Sequence, residues 1–156
     1  MIHELKEIIN QAVINQQKGL KNVLATVVHL EGSSYRKPGV RMLISEDLNS
    51  VGAVSGGCVE KEIMHRAKSV FADNKPKMIT YDGRYKLGCE GILYVLIEPF
   101  LISNAFINQF SDANSKRETI KIESHFTKEN EAFGKFGSVV TFNNKEQFVF
   151  SEHFKF

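Results

Sequence analysis

The stretch Val54-Ser55-Gly56-Gly57-Cys58-Val59-Glu60 sets a thiol behind two glycines and ahead of a helix-like run. Two glycines let the backbone turn tightly and let a ligand approach the amides. Free N–H groups at a helix start, together with the helix dipole, favour an anion there. The same field stabilises a thiolate. Cys58 is thus placed to be a reactive thiol or a soft-metal ligand beside a phosphate-sized pocket. The plainer alternative is a strand-to-helix turn with an inert, buried cysteine.

A second stretch, Glu31 to Arg41, reads EGSSYRKPGVR. Ser33 and Ser34 can bond an anion, and Arg36, Lys37 and Arg41 supply positive charge. An arginine here can grip a phosphate with two parallel hydrogen bonds. The alternative is a solvated loop turned by Pro38 and Gly39. A third stretch, Tyr85 to Gly91, puts Cys89 between Gly88 and Gly91, just before an apolar run. It could join Cys58 at one site, or be an ordinary loop. A disulfide between the two cysteines does not suit a reducing compartment.

Other chemistries find little support. The histidines at 3, 29, 65, 125 and 153 have no ligand-type spacing. There is no C-x-x-C, H-E-x-x-H, G-x-S-x-G or P-loop pattern, and no G-x-G-x-x-G follows a strand. Glu60 and Glu62, in the first turns of the expected helix, read as partners of its dipole.

The elements that must position these stretches follow from periodicity. Ile2, Leu5, Ile8, Ile9, Ala12 and Val13 form one face of a helix that ends near Gly19. Val23 to Leu30 predicts a buried strand. Val40–Ser45 and Val51–Val54 predict a hairpin that leads into the glycine pair. Val59, Ile63, Ala67, Val70 and Phe71 predict a helix over 59–72. Met78–Tyr81 and Ile92–Ile97 predict strands, the second stopped by Pro99. Leu101–Phe110 predicts a helix. Strands follow at 119–124, 138–142 and 147–150, the last two joined at Asn143-Asn144. The hairpin-like stretches 39–54 and 137–152 are faintly similar, too weakly to make a repeat. Hairpins interleaved with helices define an α+β class, a mixed sheet covered by helices, without the βαβ alternation of a dinucleotide fold.

The 156 residues are 42% hydrophobic and 24% charged, which suits a folded single domain and excludes a disordered or collagen-like chain. Net charge is +2, too even to point to nucleic acid or a membrane surface. No leader-like or membrane-spanning run is present, so a cytoplasmic protein is expected. Most of the twelve phenylalanines lie from Phe126 onward, and Phe148, Phe150, Phe154 and Phe156 alternate. They could fill a core or present one face to a partner or a second copy of the chain, so a homo-oligomer stays open.

Taken together, EGSSYRKPGVRMLIS (31–45), VGAVSGGCVEKEI (51–63) and LGCEGILYVLIEP (87–99) resemble the XdhC/CoxI family of accessory proteins for molybdenum hydroxylases such as xanthine dehydrogenase. The resemblance covers residues 5–100. Residues 101–156 fit more loosely and read as an extension of the same domain, 1–156. The resemblance implies a factor that binds molybdenum cofactor (molybdopterin), supports its sulfuration and inserts it into an enzyme. The partners implied are the apo molybdenum hydroxylase and a sulfur donor such as a cysteine desulfurase. The cofactor-binding residues are then Ser33, Ser34, Arg36, Lys37, Arg41, Ser55, Gly56, Gly57, Cys58, Gly88 and Cys89, with Cys58 the contact to molybdenum. No catalytic residue is assigned.

The family's usual chain continues into a Rossmann-like second domain, which this chain is expected to lack. Lys86 and Glu90 replace small residues of the family's second cysteine loop, and the loop 81–87 is shortened. Glu90 opposes a thiolate at Cys89, so Cys58 is the stronger ligand. Two other functions remain open: a cysteine-dependent thiol or sulfur-transfer enzyme, and a truncated homologue acting as an interaction module.

Overall fold

A computed structural model of the chain describes residues 2–31, 38–54, 58–82, 91–128, 136–151 and 154. Among these lie three helices and eight strands. Their order is α1 (Ile2–Gln17), β1 (Asn22–Glu31), β2 (Arg41–Ser45), β3 (Ser50–Gly52), α2 (Cys58–Asp73), β4 (Lys77–Asp82), β5 (Ile92–Pro99), α3 (Asn104–Ser115), β6 (Lys121–His125), β7 (Gly137–Thr141) and β8 (Gln147–Val149). The class is α+β, as the element order implies. The strands divide between two sheets, β3-β2-β1-β5-β4 and β6-β7-β8, and every pairing in both is antiparallel.

Side-chain alternation gives the large sheet two apolar faces. Val23, Ala25 and Val27 of β1, with Leu93, Val95 and Ile97 of β5, form one face. Helix α2 covers it with Val59, Ile63, Ala67 and Val70, the stripe that its spacing predicts. Each valine and isoleucine of that stripe, fully buried, contributes roughly 1.5–3 kcal/mol. The opposite face, around Leu24 and Leu43, is covered by α1, α3 and the small sheet through Ile8, Phe100, Phe106, Phe142 and Phe150. Phe136, Phe142, Phe150 and Phe154 are all buried. These four are therefore core, with Phe126 and Phe148 partly buried against it. Phe133 and Phe156 lie outside the described residues.

Helix ends follow local chemistry. Gly19 takes φ 77°, and the amides of Gly19 and Leu20 reach back to the carbonyls of Gln16 and Asn15, closing α1. Helix α3 starts later than the apolar spacing predicts because the Ser103 hydroxyl accepts the amide of Phe106 and caps it there.

The two faintly similar stretches form matching hairpins. Leu48 and Lys145 both take positive φ, 66° and 71°. Their amides donate to Ser45 and Phe142, whose own amides donate to Asn49 and Glu146. Superposing the two turns sets Arg41 on Ser138.

Candidate functional site

Strand register brings the described residues that flank the three chemically suggestive segments to one end of the large sheet. Glu31, the last residue of β1, lies opposite Ile92, the first of β5. Asp82, the last residue of β4, lies opposite Ile92 on the other side. Arg41 opens β2 and Gly52 closes β3 toward the same end. Helix α2 starts there at Cys58. It finishes at the other end, where Val70 and Phe71 share a cavity of about 620 Å³ with Asn22, Val23 and Pro99. That cavity is remote from the three segments.

Ser33, Ser34, Arg36, Lys37, Ser55, Gly56, Gly57, Gly88 and Cys89 lie outside the described residues, as does the side chain of Cys58. The structure places the elements from which these residues depart. Cys58 is the first residue of a 16-residue helix, one residue ahead of the start that the apolar spacing predicts. Among the described residues, no three His, Cys, Asp or Glu side chains come together as a metal site.

Arg41 is the one expected contact whose side chain is described. It projects from the sheet face that carries the small sheet, opposite Thr26. Its Nη1 donates to the Gly39 carbonyl at 2.9 Å, bracing the Pro38-Gly39 turn that its own strand follows. That turn is tied to β1 as well: the Gly39 amide donates to Val27 and the Val27 amide to Val40. Arg41 Nε and Thr26 Oγ1 are both buried without a hydrogen-bond partner. Burial lowers the guanidinium's pKa from its ordinary value, and the field of Glu98 opposes that shift.

Glu98 was not among the residues singled out by sequence. It is fully buried on β5. Its Oε1 accepts the Ser138 amide at 2.9 Å and its Oε2 the Ser138 hydroxyl at 2.7 Å. The Ser138 and Ser124 hydroxyls are 2.8 Å apart. Burial pushes the carboxyl's pKa up to about 7, against the Ser138 bonds and the charge of Arg41. The available signal was one carboxylate inside an otherwise apolar run, Ile92 to Pro99.

A smaller polar group flanks the same end. Glu31 Oε1 lies 3.7 Å from His29 Nε2 and 3.6 Å from Lys128 Nζ, beyond hydrogen-bond reach but within ion-pair range. The His29 ring lies 5.4 Å from that of Tyr94, with Lys128 Nζ 5.9 Å from the Tyr94 centroid.

These observations define an α+β protein in which the elements flanking its glycine-bearing connections end on one side of an antiparallel sheet. Residues 16–82 match the sequence model of the XdhC and CoxI family. This stretch includes the first two motifs, and the resemblance read from them is borne out there.

The chain is 38% identical over 84 residues to a probable xanthine dehydrogenase subunit of Bacillus subtilis (strain 168); the match covers 49% of this chain and 26% of that protein. It is 33% identical over 76 residues to the molybdenum cofactor insertion chaperone PaoD of Escherichia coli (strain K12), covering 49% of this chain and 24% of that one. The matched part thus spans about a quarter of these relatives' length. A crystal structure of a xanthine dehydrogenase from Bacillus halodurans superposes with a TM-score of 0.72 at 26% identity, over 91% of this chain and 44% of that one. No helix among the described residues is long and apolar enough to cross a membrane.

Proposed function

We propose that this chain is a molybdenum cofactor-binding accessory factor that helps mature a xanthine dehydrogenase-type hydroxylase. The observation that carries this reading is the convergence, at one end of one sheet, of the strand and helix ends that flank the three motifs. The family match and the chaperone relative support it.

The donor set suits the cofactor. Helix α2 begins at this end, where its free amides and dipole favour a phosphate. Arg41 brings a cation to the same end from the sheet face opposite α2, with its Nη1 bonded to Gly39. Ser33, Ser34, Arg36, Lys37 and Ser55 would hold the phosphate and the remaining negative charge. Gly56, Gly57 and Gly88 would let it approach the backbone. Cys58, with Cys89 second to it, supplies a sulfur suited to a soft metal. When bound, the cofactor supplies the molybdenum and dithiolene that the client enzyme requires. The chain binds it, orients it and limits its exposure to water, while a cysteine desulfurase provides sulfur and the apo-hydroxylase receives the product. On this reading the protein works in the cytoplasm and residues 1–156 act as one unit; the apolar cluster that α1, β1, β2, α3, β7 and β8 share supports the single unit.

The test is anaerobic binding of molybdenum cofactor to the purified full chain, read as bound molybdenum and pterin, with Cys58→Ser alongside. Retention by the wild type and its loss in C58S is the expected result. Equal retention by both removes Cys58 from the site, and no retention by either defeats the cofactor reading.

A further inference from the structure

We propose that Glu98 is a positioning residue for the cofactor-binding end of the sheet: clasped by Ser138, it holds the Arg41 guanidinium against the Gly39 carbonyl. This proposal rests on the function inferred above.

The geometry carries it. Glu98 has no exposure to solvent, and Ser138 occupies both of its oxygens from the small sheet. The carboxylate is therefore fixed in direction before it meets any cation. Glu98 and Arg41 project from the same face of the large sheet. Glu98 pairs with Leu24 and Arg41 with Thr26, two residues along the same strand. Among the described residues the Arg41 side chain makes one hydrogen bond, to Gly39, leaves Nε buried and unpartnered, and forms no direct ion pair with Glu98, whose field reaches it across the shared sheet face. A mostly buried guanidinium with so little direct bonding needs a counter-charge to stay where it is.

The groups facing Glu98 from each packed element are few. Strand β1 offers Leu24 and Thr26, β7 offers Ser138, and β6 offers Ser124 behind it. Lys121, Glu123 and His125 of β6 are exposed. Arg41 of β2 is the charged group among the described residues whose field reaches Glu98. Neutralising Glu98 removes that counter-charge, so the guanidinium leaves for water and releases Gly39. The turn it braces leads into the segment holding Ser33, Ser34, Arg36 and Lys37. The small sheet, through Ser138, thereby acts on the cofactor end without touching it.

Two readouts test this on the full chain. The first needs no ligand: the Arg41 Nε–H resonance followed by NMR between about pH 5.5 and 8.5. The expected result is a titration in the wild type with a midpoint near that of Glu98, absent in Glu98→Gln. In Ser138→Ala, which loses a bond to the ionised carboxylate, the midpoint moves upward. Should E98Q fail to fold, the S138A shift decides alone. A resonance that ignores pH, or that titrates alike in all three proteins, overturns the proposal.

The second readout is affinity for molybdenum cofactor at about pH 6 and pH 8, where Glu98 passes from mostly neutral to mostly ionised. The wild type should tighten by about threefold or more, on the order of 0.7 kcal/mol, and E98Q by clearly less. The cofactor phosphate also titrates in this range, so the difference between the two proteins is the quantity read. An equal pH response in both overturns the positioning role. No binding by the wild type at either pH counts against the proposed function, while the resonance still decides the Glu98–Arg41 coupling.

Discussion

Ser138 closes on both oxygens of Glu98, its amide on one and its hydroxyl on the other, joining strands 40 residues apart in sequence. The folded carboxyl holds its proton up to about pH 7, well above its ordinary value of 4.5. The folded state therefore binds more protons than the unfolded chain between these values. The stability this gives is fully present below about pH 4.5 and lost as pH rises through 7, a loss of roughly 3 kcal/mol by pH 8.5. Asp47, held low by the Ser45 hydroxyl, acts only at more acid pH. Denaturant unfolding from pH 5 to 8.5 should show falling stability in the wild type and a much flatter profile in Glu98→Gln. Parallel profiles would contradict the assignment.

Gly52 takes φ 83°, and a Cβ there would lie 2.6 Å from the Arg41 carbonyl oxygen. That neighbour is backbone and cannot step aside. Gly19 takes φ 77° with open space around it. Gly19→Ala should cost about 1 kcal/mol, from backbone strain alone, and Gly52→Ala about 2–3 kcal/mol or more. Equal midpoints in urea would refute the steric argument.

Phe106 packs its ring against those of Phe110, Phe142, Phe148 and Phe150. It pins α3 to the small sheet. Phe106→Ala should lose about 3–5 kcal/mol and Phe106→Leu markedly less. Calorimetry of the two variants decides, and a loss in F106A no greater than in F106L would count against this packing.

Gln16, on α1, both donates to the Ile102 carbonyl and accepts its amide, each at 3.1 Å. A side-chain amide here does the work of a strand neighbour. Gln16→Ala should cost about 1–2 kcal/mol, because it leaves two partly buried backbone groups to find new partners. Hydrogen exchange at the Ile102 amide should quicken in this variant; an unchanged rate would argue against the bond.

Local features were legible in the sequence. The strand expected at Val23–Leu30 spans Asn22–Glu31, and the helix expected over 59–72 spans Cys58–Asp73. Both carry strong apolar patterns. The third helix was misplaced at its start because its boundary depends on one hydroxyl, that of Ser103, and not on periodicity. The division into two sheets was hidden because strand partners lie far apart in the chain. β1 meets β5, for instance, but never β6. For the candidate site, the three motifs were readable as segments, and their shared end of the sheet follows only from register. Glu98 could not be weighed before Ser138 and Arg41 were seen beside it. The hairpin likeness read from sequence sets Arg41 on Val139, and only the superposed turns bring Arg41 and Ser138 to matching positions.

The order β3-β2-β1-β5-β4 has a practical consequence for anyone trimming this chain. The family match stops at residue 82, at the close of β4. The strand that sits between β4 and β1 has not yet been made at that point. A fragment cut there would carry β4 with no neighbour and β1 with one bare edge, two unsatisfied rows of backbone groups prone to association between chains. Expression boundaries drawn from sequence similarity would thus produce a sticky half-sheet, and any shortened form needs to run at least through Pro99.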